Sequence, residues 1–370
     1  MSEKRQLAIL IPAYNERALI GRCITSVLNA GIPVEDVYVV DDGSRDGTDG
    51  VVHALGPVAL LTTRNGGKAR AIRHGLSEFK LPQRYDWIGI LDADSALDPG
   101  YLEAVEGAVK RFPDAALICG SPQSDPHNWL TAYRAVEYAI CLGIYREAQS
   151  LTGTITVAPG CASVYRADVL AQLDLDGGTL VEDMDLTIQL QRLGKRIVYV
   201  PDMKVHTQDP RTLSDYIGQV NRWYRGLWQV IRRHRLMRRR QLIDVECALL
   251  VGEGLGFSIL VLMLPVWIWL SPRVTVVLGA TDQALFFAMT ALVAVREGRL
   301  DILRSYPRYI IPRLINAVLF VWTFFAERRG GTKAWFTVAR YEGQMGAVSH
   351  VHDRSSDARI LPTSSHSLTI

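Results

Sequence analysis

The sequence predicts an α/β fold: a half-Rossmann-like domain followed by an interfacial helix and C-terminal transmembrane helices. Three observations predict it. Short apolar runs alternate with helical stretches from Leu7 through residue 95, the pattern of a parallel sheet with crossover helices. Four signatures follow in order: Val40-Asp41-Asp42-Gly43-Ser44-Arg45-Asp46-Gly47-Thr48, Leu91-Asp92-Ala93-Asp94, Val181-Glu182-Asp183-Met184-Asp185 and Gln219-Val220-Asn221-Arg222-Trp223. The first two close apolar runs, and carboxylates at strand ends are where open α/β sheets hold ligands. After the fourth, the chain turns basic and then strongly apolar.

The elements follow from local pattern. Leu7 to Ile11 is a strand ending at Pro12, and Arg17 to Ala30 a helix stopped by Gly31. Val37 to Val40 is a second strand, running into the paired aspartates. Thr48 to Leu55 is a helix with capping residues just before it. Val58 to Leu61 is a strand, Lys68 to Phe79 a helix after Gly66-Gly67, and Trp87 to Leu91 a strand ending at Asp92. Beyond these, helices are expected over 101–112, 129–149 and 183–193, and strands over 115–120, 160–166 and 197–200. Arg211 to Arg240 reads as one long helix in which Tyr216, Trp223, Trp228 and Ile231 interleave with arginines, the look of a helix in a membrane interface.

Of the residues, 48% are hydrophobic, and the excess lies after residue 247. Leu249 to Leu270 reaches the ~20 residues that a bilayer crossing needs. Val274 to Val295 is a second stretch, weakened by Asp282, whose charge is costly in lipid unless paired. Pro312, Arg313 and Asn316 make Tyr309 to Ala326 a poor span, so two full crossings with a third interfacial or re-entrant helix are expected. The chain then divides into a catalytic domain (1–210), an interface helix (211–247), a membrane region of two to three helices (248–326), a membrane-proximal segment (327–348) and a disordered tail (349–370).

A net charge of +3 gives no basis for nucleic-acid binding. The local cluster of Arg232, Arg233, Arg235, Arg238, Arg239 and Arg240 suits a cytoplasmic leaflet with anionic headgroups. Five cysteines in odd count without CxxC spacing argue for a reducing compartment and against disulfides or a zinc site. No signal stretch follows Met1, so the catalytic part is expected to face the cytoplasm from a multi-pass cell-membrane protein.

Asp92 and Asp94, two residues apart at a strand exit, can share one divalent cation, and Mg²⁺ or Mn²⁺ suits such oxygen ligands. A helix cap and turn would use the same residues. Asp41 and Asp42 can accept from a nucleobase imide and ribose hydroxyls, or serve as a cap with turn glycines. Lys68, after two glycines, stands near phosphate or in a plain turn. Glu182 or Asp183 could take a proton from an acceptor hydroxyl; both also suit a helix N-terminus. Gln219, Arg222 and Trp223 share one helix face, where Arg suits a pyrophosphate and Trp a sugar ring. Trp223 could equally anchor the helix in the interface.

Taken together, these motifs resemble the family 2 glycosyltransferases of GT-A fold. The likeness covers about residues 6 to 345, and is strongest to the membrane-bound processive branch of cellulose, hyaluronan and poly-N-acetylglucosamine synthases. It implies that Pro12, Tyr14 and Glu16, within Ile11 to Glu16, line the nucleotide. It implies that Asp42, alone or with Asp41, holds uracil or ribose, that Lys68 in Asn65 to Ala71 lies near the nucleotide or phosphate, and that Asp92 and Asp94 bind metal and diphosphate. Gly160 to Arg166, with Cys161, would border the acceptor. Asp183, in the place of the TED motif, would be the base, and Trp223 of QxxRW would stack on the acceptor sugar. Trp335 to Arg340 looks like the membrane-proximal stretch of these enzymes. His206 stands where some members place a third metal ligand, though a satisfied surface histidine reads as well. Three departures stand out: the synthases' amino-terminal membrane helices do not appear, the carboxy-terminal crossings are few, and Val181 replaces the usual Thr.

The expected activity is inverting, metal-dependent transfer from a nucleotide sugar, UDP-linked, to a growing glycan. A single transfer to a lipid acceptor, or a non-catalytic nucleotide-binding membrane subunit, are the rival readings. Homo-oligomers or a partner subunit are compatible with so few crossings.

Overall fold

The computed structural model describes residues 4–175, 178–330 and 341. The expected tail at 349–370 and the Trp335 to Arg340 stretch lie outside the described residues.

The sheet begins with β1 (Arg5–Ala13) and the helix α1 (Ile20–Asn29), then β2 (Val37–Asp41), α2 (Thr48–Ala54), β3 (Ala59–Thr62), α3 (Lys68–Glu78), the short α4 (Leu81–Arg84) and β4 (Tyr85–Ile90). Neighbours run β3-β2-β1-β4, all parallel, so the half-Rossmann expectation holds here. The side chains of β1 explain why. Ile9, Ile11 and Ala13 pack into one core and Ala8 and Leu10 into another on the opposite face. A strand covered on both faces reads as a continuous apolar run, and each fully buried Ile or Leu contributes roughly 1.5–3 kcal/mol.

Beyond β4 the sheet is mixed. It continues through β5 (Ser95–Leu97), α5 (Tyr101–Arg111), β6 (Leu117–Ser124), α6 (Trp129–Ile140), α7 (Glu147–Thr152), β7 (Ser163–Arg166), α8 (Ala167–Leu170), α9 (Glu182–Arg192) and β8 (Ile197–Thr207). Strand β7 lies antiparallel between β4 and β6, and β5 pairs antiparallel with β8 at the edge. Three details differ from the expectation. A π-helical turn, Cys141–Arg146, divides the helix expected over 129–149. Strand β5 was too short to stand out. Strand β8 continues past Pro201, because the register against β6 jumps from Tyr199 to Lys204 and leaves the proline in a bulge, where a strand tolerates it.

The expected helix 211–240 is shorter: α10 (Leu213–Arg233) ends in a tight loop in which Arg235 and Met237 take left-handed backbone angles (φ 48° and 64°). Leu236 is buried there and pulls the chain inward. Next come α11 (Leu242–Leu262), α12 (Leu264–Leu270), α13 (Pro272–Arg296), α14 (Leu300–Ser305) and α15 (Ile310–Arg328). Pro265, in the first turn of α12, separates it from α11.

Helices α11, α13 and α15 are long and apolar enough to cross a membrane by length and composition. The third is therefore a stronger span than expected. Pro312 sits in its first turn, and Arg313 makes a two-pronged pair with Asp282 of α13 at 2.7 and 2.8 Å. Each charge answers the other, the condition under which ionised groups persist among apolar helices. Helix α15 also packs along α10, where Trp228 Nε1 donates to Thr323 (3.1 Å) and Arg225 Nε to Glu327 (2.6 Å).

Candidate active site

Loops at the carboxyl ends of β1, β2 and β4 meet on one side of the sheet. The β2 loop is stitched to the β1 loop by its own polar side chains. Asn15 N–H donates to Ser44 Oγ (2.9 Å), Glu16 N–H to Thr48 Oγ1 (2.9 Å) and Arg17 N–H to Asp46 (3.0 Å). Asp41 accepts from Ser44 N–H at 3.0 Å. Asp42 is buried and accepts from Gly66 N–H (2.9 Å) and Gly67 N–H (2.7 Å), which fixes the loop before α3. Pro12 pairs with Val40 inside the sheet, Glu16 is buried, and Tyr14 is exposed above them.

That loop delivers Lys68, the first residue of α3. Its Nζ lies 2.5 Å from Asp92 Oδ1 and 2.8 Å from Glu182 Oε1, so the β4 loop, the start of α3 and the start of α9 meet at one ammonium. Asp183 is adjacent. A methyl group added at Gly160 would sit 2.9 Å from Lys68 Nζ and 3.6 Å from Asp183 Oδ2; the 160–162 turn is thus the wall of the same crevice.

Electrostatics separate the first two carboxylates of α9, Glu182 and Asp183. Burial alone would raise Glu182, but the Lys68 contact holds it below its usual range. Burial, reinforced by the Glu182 charge, pushes Asp183 up to about 6. Neighbouring carboxyls driven apart in this way are an arrangement that acid–base chemistry uses and that ion-pair networks also produce. Burial and the like charge of Asp94 raise Asp92 against the pull of Lys68. Burial also opposes the charge on Lys68, yet Asp92, Glu182 and Asp183 raise its ammonium well above the usual value. The Cys161 thiol is buried and raised, first by burial and then by Asp92 and Asp94, which places it beside the same cluster.

Helix α10 reaches the crevice because Gly226 has no side chain: a Cβ there would stand 2.5 Å from Val181. One turn earlier, Arg222 Nη1 donates to Leu180 O at 3.1 Å, and its charge acts on both Glu182 and Asp183. Gln219 keeps Oε1 buried without a hydrogen-bond partner among the described residues. Trp223 is half-buried, one face covered by the Arg134 guanidinium 4.8 Å from the ring.

Residues 5–226 match the sequence profile of Glycosyltransferase like family 2. The chain belongs to that family. Poly-beta-1,6-N-acetyl-D-glucosamine synthase of Staphylococcus epidermidis is 25% identical over 235 residues, 61% of this chain and 56% of that protein. The Staphylococcus aureus synthase is 24% identical over 239 residues, 63% of this chain and 57% of the relative. The chain thus matches little more than half the length of these curated relatives. Among solved structures, a mannosyltransferase from Pyrobaculum calidifontis, in complex with GDP-Man and Mn²⁺, shares the fold with a TM-score of 0.57 at 19% identity, over 87% of this chain and 88% of that one. The domain is therefore a GT-A glycosyltransferase domain.

In this glycosyltransferase Asp92, Glu182 and Asp183 come together around Lys68, with the charges of Asp94 and Arg222 acting on the same carboxylates and Asp42 holding the loop before Lys68; Gln219 and Trp223 stand on the same helix as Arg222. His206 is not joined to them. Its Nδ1 faces Asp125 at 3.3 Å and its Nε2 faces Asp98 at 3.7 Å, and the Asp125 contact first of all raises its pKa. Among the described residues no three His, Cys, Asp or Glu side chains form a group that could hold a metal. Asp92 and Asp94 do fit a divalent cation: they are two carboxylates whose mutual repulsion a cation would relieve, and Mg²⁺ commonly takes one or two carboxylates with substrate phosphates completing the shell.

Sequence reasoning missed Arg134. It is buried on α6, with Glu137 and Asp209 beside its guanidinium. In sequence it reads as the solvated face of an amphipathic helix, and nothing local links it to Trp223.

Proposed function

We propose that this glycosyltransferase moves a sugar from a UDP-linked donor onto a hydroxyl of a growing glycan, with inversion, at the cytoplasmic face of a membrane. The observation that carries this reading is Asp183: a carboxyl pushed up to about 6, one residue from a Glu182 tied to Lys68. A carboxyl of that strength is half ionised near pH 6 and largely ionised at neutral pH, and it can accept a hydroxyl proton as the new bond forms.

The chain's own residues divide the work. The stitched β1 and β2 loops, with Pro12, Tyr14, Glu16, Asp41 and Asp42, form the floor for the nucleotide. Lys68 and Arg222 bring two fixed positive charges to where the departing diphosphate accumulates negative charge. Asp183 takes the proton from the acceptor oxygen, which attacks from the face opposite the leaving group. Cys161, Gln219 and Trp223 line the acceptor side, where the buried Gln219 oxygen offers an acceptor to a sugar hydroxyl. Asp92 and Asp94 would hold Mg²⁺ or Mn²⁺, which neutralises diphosphate charge when bound; the related mannosyltransferase fold was captured with GDP-Man and Mn²⁺. The poly-N-acetylglucosamine synthases among the relatives make UDP-N-acetylglucosamine the first donor to test.

The test is release of UDP by the purified full chain from UDP-N-acetylglucosamine with Mn²⁺, with products sized on a gel. UDP release with a ladder of lengthening glycan supports the reading. A single addition recovered in the lipid phase contradicts the glycan acceptor, and no release from any UDP-sugar contradicts the donor.

A further inference from the structure

The loop between α10 and α11 carries charge that the fold does not use. Arg235, Arg238, Arg239 and Arg240 are all exposed, and among the described residues none has an ion-pair partner. Their neighbours differ: Arg232 reaches Glu327, and Arg233 reaches Asp174 and Asp185. The loop is nevertheless held in place. Asp244 accepts from Met237 N–H (2.8 Å) and Gln241 N–H (3.2 Å) while pairing with Arg192 at 2.7 Å. Leu236 is buried, and His234 Nε2 lies 2.7 Å from Asp185 on α9. Four guanidinium groups with no ion-pair partner among the described residues are thus displayed from a braced turn.

A groove of about 410 Å³ opens beside them, lined by Met237, Arg239, Arg240, Gln241, Leu242 and Val245, with the Asp244 carboxylate also in its wall but paired to Arg192. Its walls are of two kinds. Arg239 and Arg240 supply positive charge, whereas Met237, Leu242 and Val245 are 41%, 70% and 56% exposed and lead directly onto the apolar surface of α11, a helix long and apolar enough to cross a membrane. A free phosphate would satisfy the arginines and leave the apolar wall wet. A ligand with an anionic phosphate at one end and acyl chains at the other covers both.

We propose that this groove is a binding site for the headgroup of an anionic phospholipid, with Arg239 and Arg240 on the phosphate and Leu242 and Val245 against the upper acyl chain. The inference rests on the reading of α11 as a membrane helix. It differs from general attraction of a basic segment to a charged surface, because it assigns a bounded groove and particular arginines.

The experiment uses the purified full chain in a neutral detergent. Retention of short-chain phosphatidylglycerol and phosphatidylcholine is compared by native mass spectrometry, with and without millimolar inorganic phosphate. The wild type is expected to prefer phosphatidylglycerol by about ten-fold or more. The combined Arg239→Gln, Arg240→Gln variant should lose that preference, while Arg232→Gln, which lies outside the groove lining, should keep it. Equal retention of the two lipids, an unchanged preference in the double variant, or the same loss in Arg232→Gln overturns the site. Displacement of the lipid by inorganic phosphate assigns the arginines to a soluble anion and also overturns it. Release of the chain from membranes by alkaline carbonate removes the membrane reading itself, an outcome separate from loss of headgroup preference in a chain that stays embedded.

Discussion

The pH dependence of turnover follows directly from the environment of Asp183. Its carboxyl is pushed up to about 6 by burial and by the charge of Glu182, with Lys68 opposing. If the ionised form is the base, about one-tenth of the sites are competent at pH 5 and nearly all at pH 8, so turnover at saturating donor should fall about ten-fold between them. The sign for stability is the reverse. The native state holds this proton more tightly than the unfolded chain, so the contribution to stability is full below about pH 4 and is lost as pH rises through about 6. Against an ordinary value of 3.8, the ionised carboxylate costs the fold about 1–3 kcal/mol at pH 8. Asp183→Asn should therefore unfold at a higher temperature than the wild type at pH 8 and lose that advantage at pH 4. Turnover by UDP release and unfolding by circular dichroism, each from pH 4.5 to 8.5, read the two effects. A flat rate between pH 5 and 7, or a variant no more stable at pH 8, would refute the reasoning.

Other outcomes follow from contacts elsewhere in the molecule. Gly160→Ala places a methyl 2.9 Å from a Lys68 Nζ already pinned by two carboxylates; turnover should fall about ten-fold or more while thermal unfolding moves little, and an unchanged rate would contradict the crowding. Arg313→Ala strands Asp282 among apolar helices and should cost about 2–4 kcal/mol in detergent. The combined Asp282→Leu, Arg313→Leu variant should recover most of it, and an unaffected single variant would show that the pair carries no weight. Chelation with EDTA should stop turnover without unfolding the domain, and Mn²⁺ or Mg²⁺ should restore it; full activity in EDTA would remove the metal assignment.

Much of this was legible because strands buried on both faces advertise themselves. Val37 to Val40 and Trp87 to Leu91 are apolar runs that end in carboxylates, and the loops after them lie where the sheet opens. The motif order carried the rest of the site: Lys68, Asp92 and Glu182 are far apart in sequence yet meet at one ammonium. The pairings were less legible. Asp282 and Arg313 each look like a reason against a membrane helix, and only the packing of α13 on α15 turns two penalties into one contact. The end of α10 at Arg233 was hidden because the arginines after it have high helix propensity, while the burial of Leu236 and the hold of Asp244 on the loop are tertiary effects. Arg134 behind Trp223 was invisible for the same reason: apart from Glu137 one turn on, its partners come from α10 and from the segment after β8.

Everything converges on the carboxylate at the start of α9, and one comparison tests it most directly. Purified wild type and Asp183→Asn are each titrated with UDP by calorimetry and assayed for sugar transfer from UDP-N-acetylglucosamine. The account predicts near-equal UDP affinity and a loss of transfer of roughly 10²–10⁴-fold in the variant. Transfer that survives the substitution, or UDP binding that disappears with it, would contradict the assignment of Asp183 as the base.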